Sequence, residues 1–258
     1  MAAICNGMAA YGQSIPFCAT FLNFIQYMLP AVRLSALCQF RVIYIMTHDS
    51  IGLGEDGPTH QPVESIPMMR LFPNLHLFRP CDGNEVSGCY KIAIESKKTP
   101  SVICLTRQNI DHVNGSSASS VALGAYTVFQ SNKDSAPDLV FVGTGSEVHL
   151  CVNAAKASKL NVRVVSMPCT TLFDGQSLKY KLSVFPEGVP VLSVEVTSTQ
   201  GWEKYSHYQI GMKTFGLSAP YQQIYKEFGF TPENIRAKGE QLVKFHNGKA
   251  PNLQNRME

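Results

Sequence analysis

The spacing of short apolar runs limits this chain more than any other feature. Residues 41–48 (RVIYIMTH), 75–80 (LHLFRP) and 101–107 (SVICLTR) are β-branched or apolar stretches of strand length, each bounded by turn residues. Segments long enough for a helix separate them, such as residues 83–97 (GNEVSGCYKIAIESK). Strands alternating with helices predict a parallel sheet with crossover connections. The rhythm stops at residues 109–120 (NIDHVNGSSASS), polar and rich in Gly and Ser, and resumes at 138–157 (DLVFVGTGSEVHLCVNAAKA), 162–168 (VRVVSMP) and 189–196 (VPVLSVEV). Two parallel-sheet-containing α/β domains are expected, joined near residues 110–137. There is no internal repeat and no low-complexity tract.

Composition narrows what such domains can bind. With 258 residues and 45% hydrophobic content, the chain can bury a core in each of two domains. A formal charge of +3, without a Lys/Arg cluster, argues against a nucleic-acid or membrane-surface partner. The eight cysteines are scattered, without the close pairs that zinc or a redox dithiol needs, and read as reduced, mostly buried thiols of a cytoplasmic protein. Residues 1–32 hold no Asp, Glu, Lys, Arg or His. Asn6, Gln13, Asn23 and Gln26 interrupt that run, and Gly12, Pro16 and Pro30 break it, which argues against a signal peptide and a membrane span. The segment is expected to be buried by protein, some of it belonging to another chain.

Residues 47–62 (THDSIGLGEDGPTHQP) follow the first strand directly and pack two histidines and three carboxylates among glycines and prolines. In open α/β sheets, ligands bind beyond the carboxyl ends of the strands. Arg107 ends another strand of the same predicted sheet, so His48, Asp56, His60 and Arg107 can share one pocket. A lone loop histidine is more often structural. Four ionisable groups at neighbouring strand ends make a binding pocket an equal contender, and periodicity goes no further.

Longer motifs carry a resemblance. Residues 47–62, with 20–37 (TFLNFIQYMLPAVRLSAL) before them and 79–86 (RPCDGNEV) and 105–110 (LTRQNI) after them, resemble the pyrimidine-binding domain of transketolase. The second block is similar to the transketolase C-terminal domain in the order GTGSEV (143–148), VRVVSMP, VLSVEV (191–196) and FGFTPENI (228–235). Dihydroxyacetone synthase is a close relative sharing most of these motifs. The implied division is a pyrimidine-binding domain, residues 1–120, lacking its N-terminal portion, and a C-terminal domain, residues 121–258.

The resemblance implies transfer of a two-carbon ketol unit from a ketose to an aldose on thiamine diphosphate. Phe21, Phe24 and Tyr27 match the aromatic positions that hold the aminopyrimidine, although aromatics spaced three apart are more often plain core. His60 would bond donor oxygens and assist proton transfer, Asp56 would recognise a substrate hydroxyl, and His48 and Arg107 would contact sugar phosphate. Glu55 and His76 fit structural roles. Three family features are missing from the sequence: the Gly-Asp-Gly motif with its metal-binding Asn, the Arg-Glu-His triplet whose glutamate protonates the aminopyrimidine, and one residue with the usual small glycines at 14–21 (SIPFCATF). The reading is therefore one subunit of a split transketolase, with thiamine diphosphate shared and Mg2+ or Ca2+ on a complementary N-terminal subunit, in an α2β2 heterotetramer acting on a sugar or sugar phosphate. A non-catalytic interaction module and a truncated single-chain enzyme are the alternatives.

Overall fold

A computed structural model describes residues 1–254. The first sheet has four parallel strands in the order β1-β2-β4-β3: β1 Phe17–Phe21, β2 Ile43–Thr47, β3 His76–Phe78 and β4 Ser101–Leu105. The central pair, β2 and β4, is buried along most of its length on both faces, as near-continuous apolar strands of a parallel sheet must be. Around it lie α1 Ala2–Tyr11, a 3-10 helix Leu22–Met28, α2 Leu29–Leu37, α3 Ser65–Arg70 and α4 Gly83–Glu95. Asp82 caps α4 by accepting from Glu85 N at 3.1 Å, and also accepts from Val113 N and Ser116 Oγ, tying the connecting segment back to the first sheet.

The second sheet has five strands in the order β5-β7-β6-β8-β9: β5 Tyr126–Gln130, β6 Leu139–Gly143, β7 Val162–Ser166, β8 Val191–Ser198 and β9 Tyr208–Met212. All its pairings are parallel except that of β5 with β7. Its helices are α5 Glu147–Lys156, α6 Thr170–Asp174, α7 Leu178–Val184, α8 Tyr221–Glu227 and α9 Pro232–His246. The start of α9 is written locally: Thr231 accepts from Asn234 N, Pro232 takes the first turn and Glu233 faces the helix dipole.

Both blocks have the expected parallel-sheet architecture, with three strands beyond those read from the sequence. β1 lies in an uncharged apolar run where neither period stands out, and β9 alternates weakly. β5 falls inside the stretch 110–137 read as a join; it adds antiparallel to the second sheet and carries a bulge between Thr127 and Phe129. Among the described residues no helix is long and apolar enough to cross a membrane. All eight cysteines are free, and only Cys38 is exposed.

The two domains meet through a buried ionic cluster. Arg79, at the carboxyl end of β3, is fully buried and donates from Nε to Asp49 Oδ2 at 2.8 Å and from Nη1 to Thr144 Oγ1 at 2.9 Å and to Glu147 Oε2. Its backbone is held too, by Pro168 O and Gly145 N. Gly145, at φ 53°, makes this approach feasible, because a Cβ there would sit 3.0 Å from Arg79 Cζ. Beside it Arg70 grips Glu195 with two bonds of 2.7 Å, and Trp202 Nε1, Thr144 Oγ1 and Thr197 Oγ1 also donate to that carboxylate. The guanidinium of Arg79 thus fills the crevice beyond β6, where a sheet of this kind would otherwise offer a ligand site.

Candidate active site

The register of the first sheet decides which residues come together. Phe21 pairs with Thr47 and Thr47 with Leu105, so β1, β2 and β4 end level. His48 and Arg107 leave neighbouring strands at that end. His48 sits at φ 58°, a left-handed conformation that a non-glycine residue adopts at a cost of about 1 kcal/mol or more. Its ring lies flat on Phe21, with centroids 3.6 Å apart and planes 17° from parallel, which offsets part of that strain.

Phe21, Phe24 and Tyr27 form a row rather than core packing. Phe24 and Tyr27 belong to the 3-10 helix, whose residues i and i+3 eclipse. The three rings consequently line up, Phe21 to Phe24 at 6.3 Å and 18° and Phe24 to Tyr27 at 6.2 Å and 23°. Tyr27 is 86% exposed, so the row ends in an open aromatic face. His60 stands edge-on against Phe24 at 5.3 Å and Phe21 at 6.4 Å. Its Nδ1 meets Thr59 Oγ1 at 2.8 Å, and Asn23 donates to Thr59 O, so the 3-10 helix and the loop bearing His60 are tied together.

Electrostatics place the remaining two residues in the same neighbourhood. Burial depresses the His48 imidazole below its ordinary value, and the Arg107 guanidinium pushes it further down; Asp56 and Asp49 act more weakly in the opposite sense. The shift biases His48 towards its neutral form. With Nδ1 at 2.9 Å from Thr47 Oγ1, its Nε2 is left for a ligand. Asp56 and Arg107 are themselves exposed. The structure thus gathers all seven sequence candidates at one end of the first sheet. His76 begins β3 and lies at the opposite end, and Glu55 offers its backbone oxygen, not its side chain, to Ser218. Among the described residues no group of three or more His, Cys, Asp or Glu side chains is arranged to hold a metal ion.

Sequence reasoning missed the residues behind this surface. Asp49, next to His48, is buried and paired with Arg79. Burial opposes ionisation of Glu195, but Arg70 and Arg79 outweigh it and hold the carboxyl down at about 2. Burial instead wins at Glu147 and at Glu85, pushing both carboxyls up. Arg79 lies in the RPCDGNEV motif, but an arginine after an apolar strand gives no sign that one of its partners, Glu147, is 68 residues away. Two hollows lie elsewhere: about 550 Å3 between α3 and the segment around Trp202, and about 660 Å3 between β9 and α9. Neither contains the converged histidines, so volume is a poor guide here; the candidate site is an open face.

Comparison with known proteins gives consistent matches. The profile described as transketolase, pyrimidine binding domain, matches residues 1–112, and that of the transketolase-like C-terminal domain matches residues 124–231. Transketolase of Scheffersomyces stipitis is 50% identical over 253 residues, covering 96% of this chain and 37% of the relative. The crystal structure of a Pichia stipitis transketolase in complex with sedoheptulose-7-phosphate is 49% identical with a TM-score of 0.95, covering 100% of this chain and 38% of that one. A split gene transketolase, solved as an inactive β4 tetramer, is 22% identical with a TM-score of 0.76, covering 93% of this chain and 80% of that one, and shares the fold. The chain spans well under half the length of the curated relatives it matches.

Proposed function

Because this chain belongs to the transketolase family, we propose that it supplies the pyrimidine side of a thiamine-diphosphate site and acts as a ketol transferase together with a complementary subunit bearing the diphosphate-binding domain. The observation that carries this reading is the row Phe21, Phe24 and Tyr27 flanked by His48 and His60, at strand ends shared with Arg107. Thiamine diphosphate, when bound, supplies the nucleophilic carbon and electron sink for moving a two-carbon unit.

The residues present fit half of that group. An open aromatic row suits a flat heteroaromatic ring. The diphosphate and its Mg2+ or Ca2+ fall to the complementary subunit, as does the family's ring-protonating glutamate. Nine of the sixteen exposed large apolar side chains of the described residues lie in residues 1–37, a face apt for that subunit. Ile4, Met8 and Tyr11 form one stripe on α1, and Phe17 lies on β1, an edge strand of its sheet. The fold shared with a split gene transketolase chain of comparable extent supports a two-chain enzyme, which we take to be an α2β2 heterotetramer of the cytoplasm. We put the domain boundary between residues 120 and 121; the pairing of β5 with β7 supports counting β5 in the second domain.

Roles follow from chemistry and position. His60 holds or moves a proton at the donor oxygen, its orientation kept by Phe24 and Thr59. Asp56 accepts from a substrate hydroxyl and so discriminates between sugar epimers. Arg107 and His48 hold a phosphate, the guanidinium matching it with paired donors. A sugar-phosphate complex is known for the Pichia stipitis relative.

The test is reconstitution. The isolated chain should neither bind thiamine diphosphate with Mg2+ at sub-micromolar affinity nor turn over, while addition of a complementary diphosphate-binding subunit should restore both. In the complex, His60→Ala should lower turnover by roughly 10²- to 10⁴-fold, the range of a lost acid–base group. Tight cofactor binding by the chain alone would refute the two-chain reading.

A further inference from the structure

The loop that carries Asp56 and His60 is held from the second domain as well as from its own. Gln61 donates from Nε2 to Gly54 O at 2.8 Å within the loop and to Leu217 O at 2.9 Å in the other domain. Ser218 Oγ donates to Glu55 O. The two backbones nearly touch: a Cβ on Gly57, itself at φ 75°, would lie 3.1 Å from Ser218 Cβ. Gly216 is tighter still, since a Cβ there would come within 1.9 Å of Gln61 Oε1 and 2.9 Å of Ile51 Cγ2. At its base, Ile51 shares a hydrophobic cluster with Ile224 and Tyr225 of the second domain.

We infer that Gly216, Leu217 and Ser218 are positioning residues for the site of the first domain, holding the loop so that Asp56 and His60 stand at a fixed height above the aromatic row. This rests on the ketol-transferase reading for its catalytic consequence, though not for its structural one. The tip is exposed and is held within the first domain by the turn bonds Gly57 N to Gly54 O and His60 N to Gly57 O and, at its far side, by Asn23 Nδ2 on Thr59 O, which leaves the Gly54–Asp56 side to the second domain. Such a turn opens readily unless something outside it is bonded to its carbonyls. A group that transfers protons loses rate when displaced by even a fraction of an ångström, so an external clamp acts on turnover without touching substrate. The second domain, which contributes none of the proposed site residues, thereby gains a role in the reaction.

Three substitutions in the second domain test this: Ser218→Ala, Gly216→Ala and the restoring Ser218→Thr. Ser218 is exposed, and Gly216→Ala is expected to displace Gln61 without altering any residue of the first domain. In the isolated chain, amide hydrogen exchange at Gly54, Gly57 and His60 should quicken about fivefold in Ser218→Ala, the effect of one lost hydrogen bond. Exchange in β6 and α9 should stay unchanged, and Ser218→Thr should restore the wild-type rate. In the reconstituted complex, kcat should fall by about the same factor in both alanine variants, with thiamine diphosphate affinity unaltered. Unchanged loop exchange, or acceleration spread equally over β6 and α9, would overturn the clamp. Faster loop exchange with unchanged kcat would overturn the positioning role. If the wild-type complex itself fails to turn over, the ketol-transferase reading falls, while the exchange measurement still decides whether the second domain holds the loop.

Discussion

The interface between the domains and the outer face of the first domain invert the usual distribution of residues. Inside, where apolar side chains are expected, Arg79 and Glu147 are fully buried, beside Asp49, Glu195 and the partly buried Arg70. Outside, Ile4, Tyr11, Phe17 and Leu37 face solvent. Each inversion makes physical sense only with a partner in view. Buried charges are tolerable when paired, and here Arg79 and Arg70 are bonded to carboxylates of both domains. Ion pairs add little net stability over well-packed apolar residues, but they accept only one register of docking. The outer face has the opposite character: its apolar area can stabilise an association of many shapes, and its specificity has to come from elsewhere.

The sharpest way to break this contrast is to unpair the interior. Arg79→Met should destabilise the chain by about 3–5 kcal/mol, because Asp49 and Glu147 would be left buried without their cation. Urea unfolding measures it. Pairing it with Glu147→Gln should recover part of the loss, and strict additivity would show that the two residues do not act as a unit.

Acid is a milder probe of the same cluster. The Glu195 carboxyl, held down at about 2, has a folded value below its unfolded one, so the stability it contributes is full above about pH 4.3 and is lost as pH falls towards 2. Glu85 and Glu147, pushed up by burial, work in the opposite sense. The stability difference between wild type and Glu195→Gln should therefore shrink by roughly 2–3 kcal/mol from pH 5 to pH 2. A constant difference across that range would mean that Glu195 titrates normally.

Arg107 stands between the two cases, a charge that is neither buried nor paired in any salt bridge of the described residues. In the reconstituted enzyme Arg107→Ala should weaken apparent affinity for phosphorylated acceptors by about 2–3 kcal/mol, the scale of a charged hydrogen bond. Unphosphorylated aldehydes should be almost unaffected, and an equal loss for both would assign the residue to the fold.

The smallest effects belong to the outer face. Leu37→Asp should leave unfolding within about 0.5 kcal/mol of wild type, since the side chain is already 66% exposed. It should nevertheless weaken association with the complementary subunit about tenfold, or ~1.4 kcal/mol. Unchanged association, measured by sedimentation or calorimetry, would move the interface off α2.

The sequence alone determined what is written in local periodicity and in short motifs. The cores of β2, β4 and β6 follow from nearly unbroken apolar runs and those of β7 and β8 from β-branched runs interrupted by Arg163, Ser193 and Glu195, α9 from its cap and proline, and the convergence of His48 with Arg107 from two parallel strands ending level. The aromatic spacing of Phe21, Phe24 and Tyr27 was legible, but its meaning was not: three residues apart is a core stripe on an α-helix and an eclipsed row on a 3-10 helix, and only the backbone chooses. Strands β1 and β9 were hidden because pairing at a sheet edge leaves a weak pattern in the strand itself. The clamp of Gln61 on Leu217 and the pairing of Arg79 with Glu147 join residues far apart in the chain, and no local rule encodes such contacts. Side-chain type announces that a charge or an amide needs a partner when buried; which partner it finds is decided by how two separately formed sheets come to rest against each other.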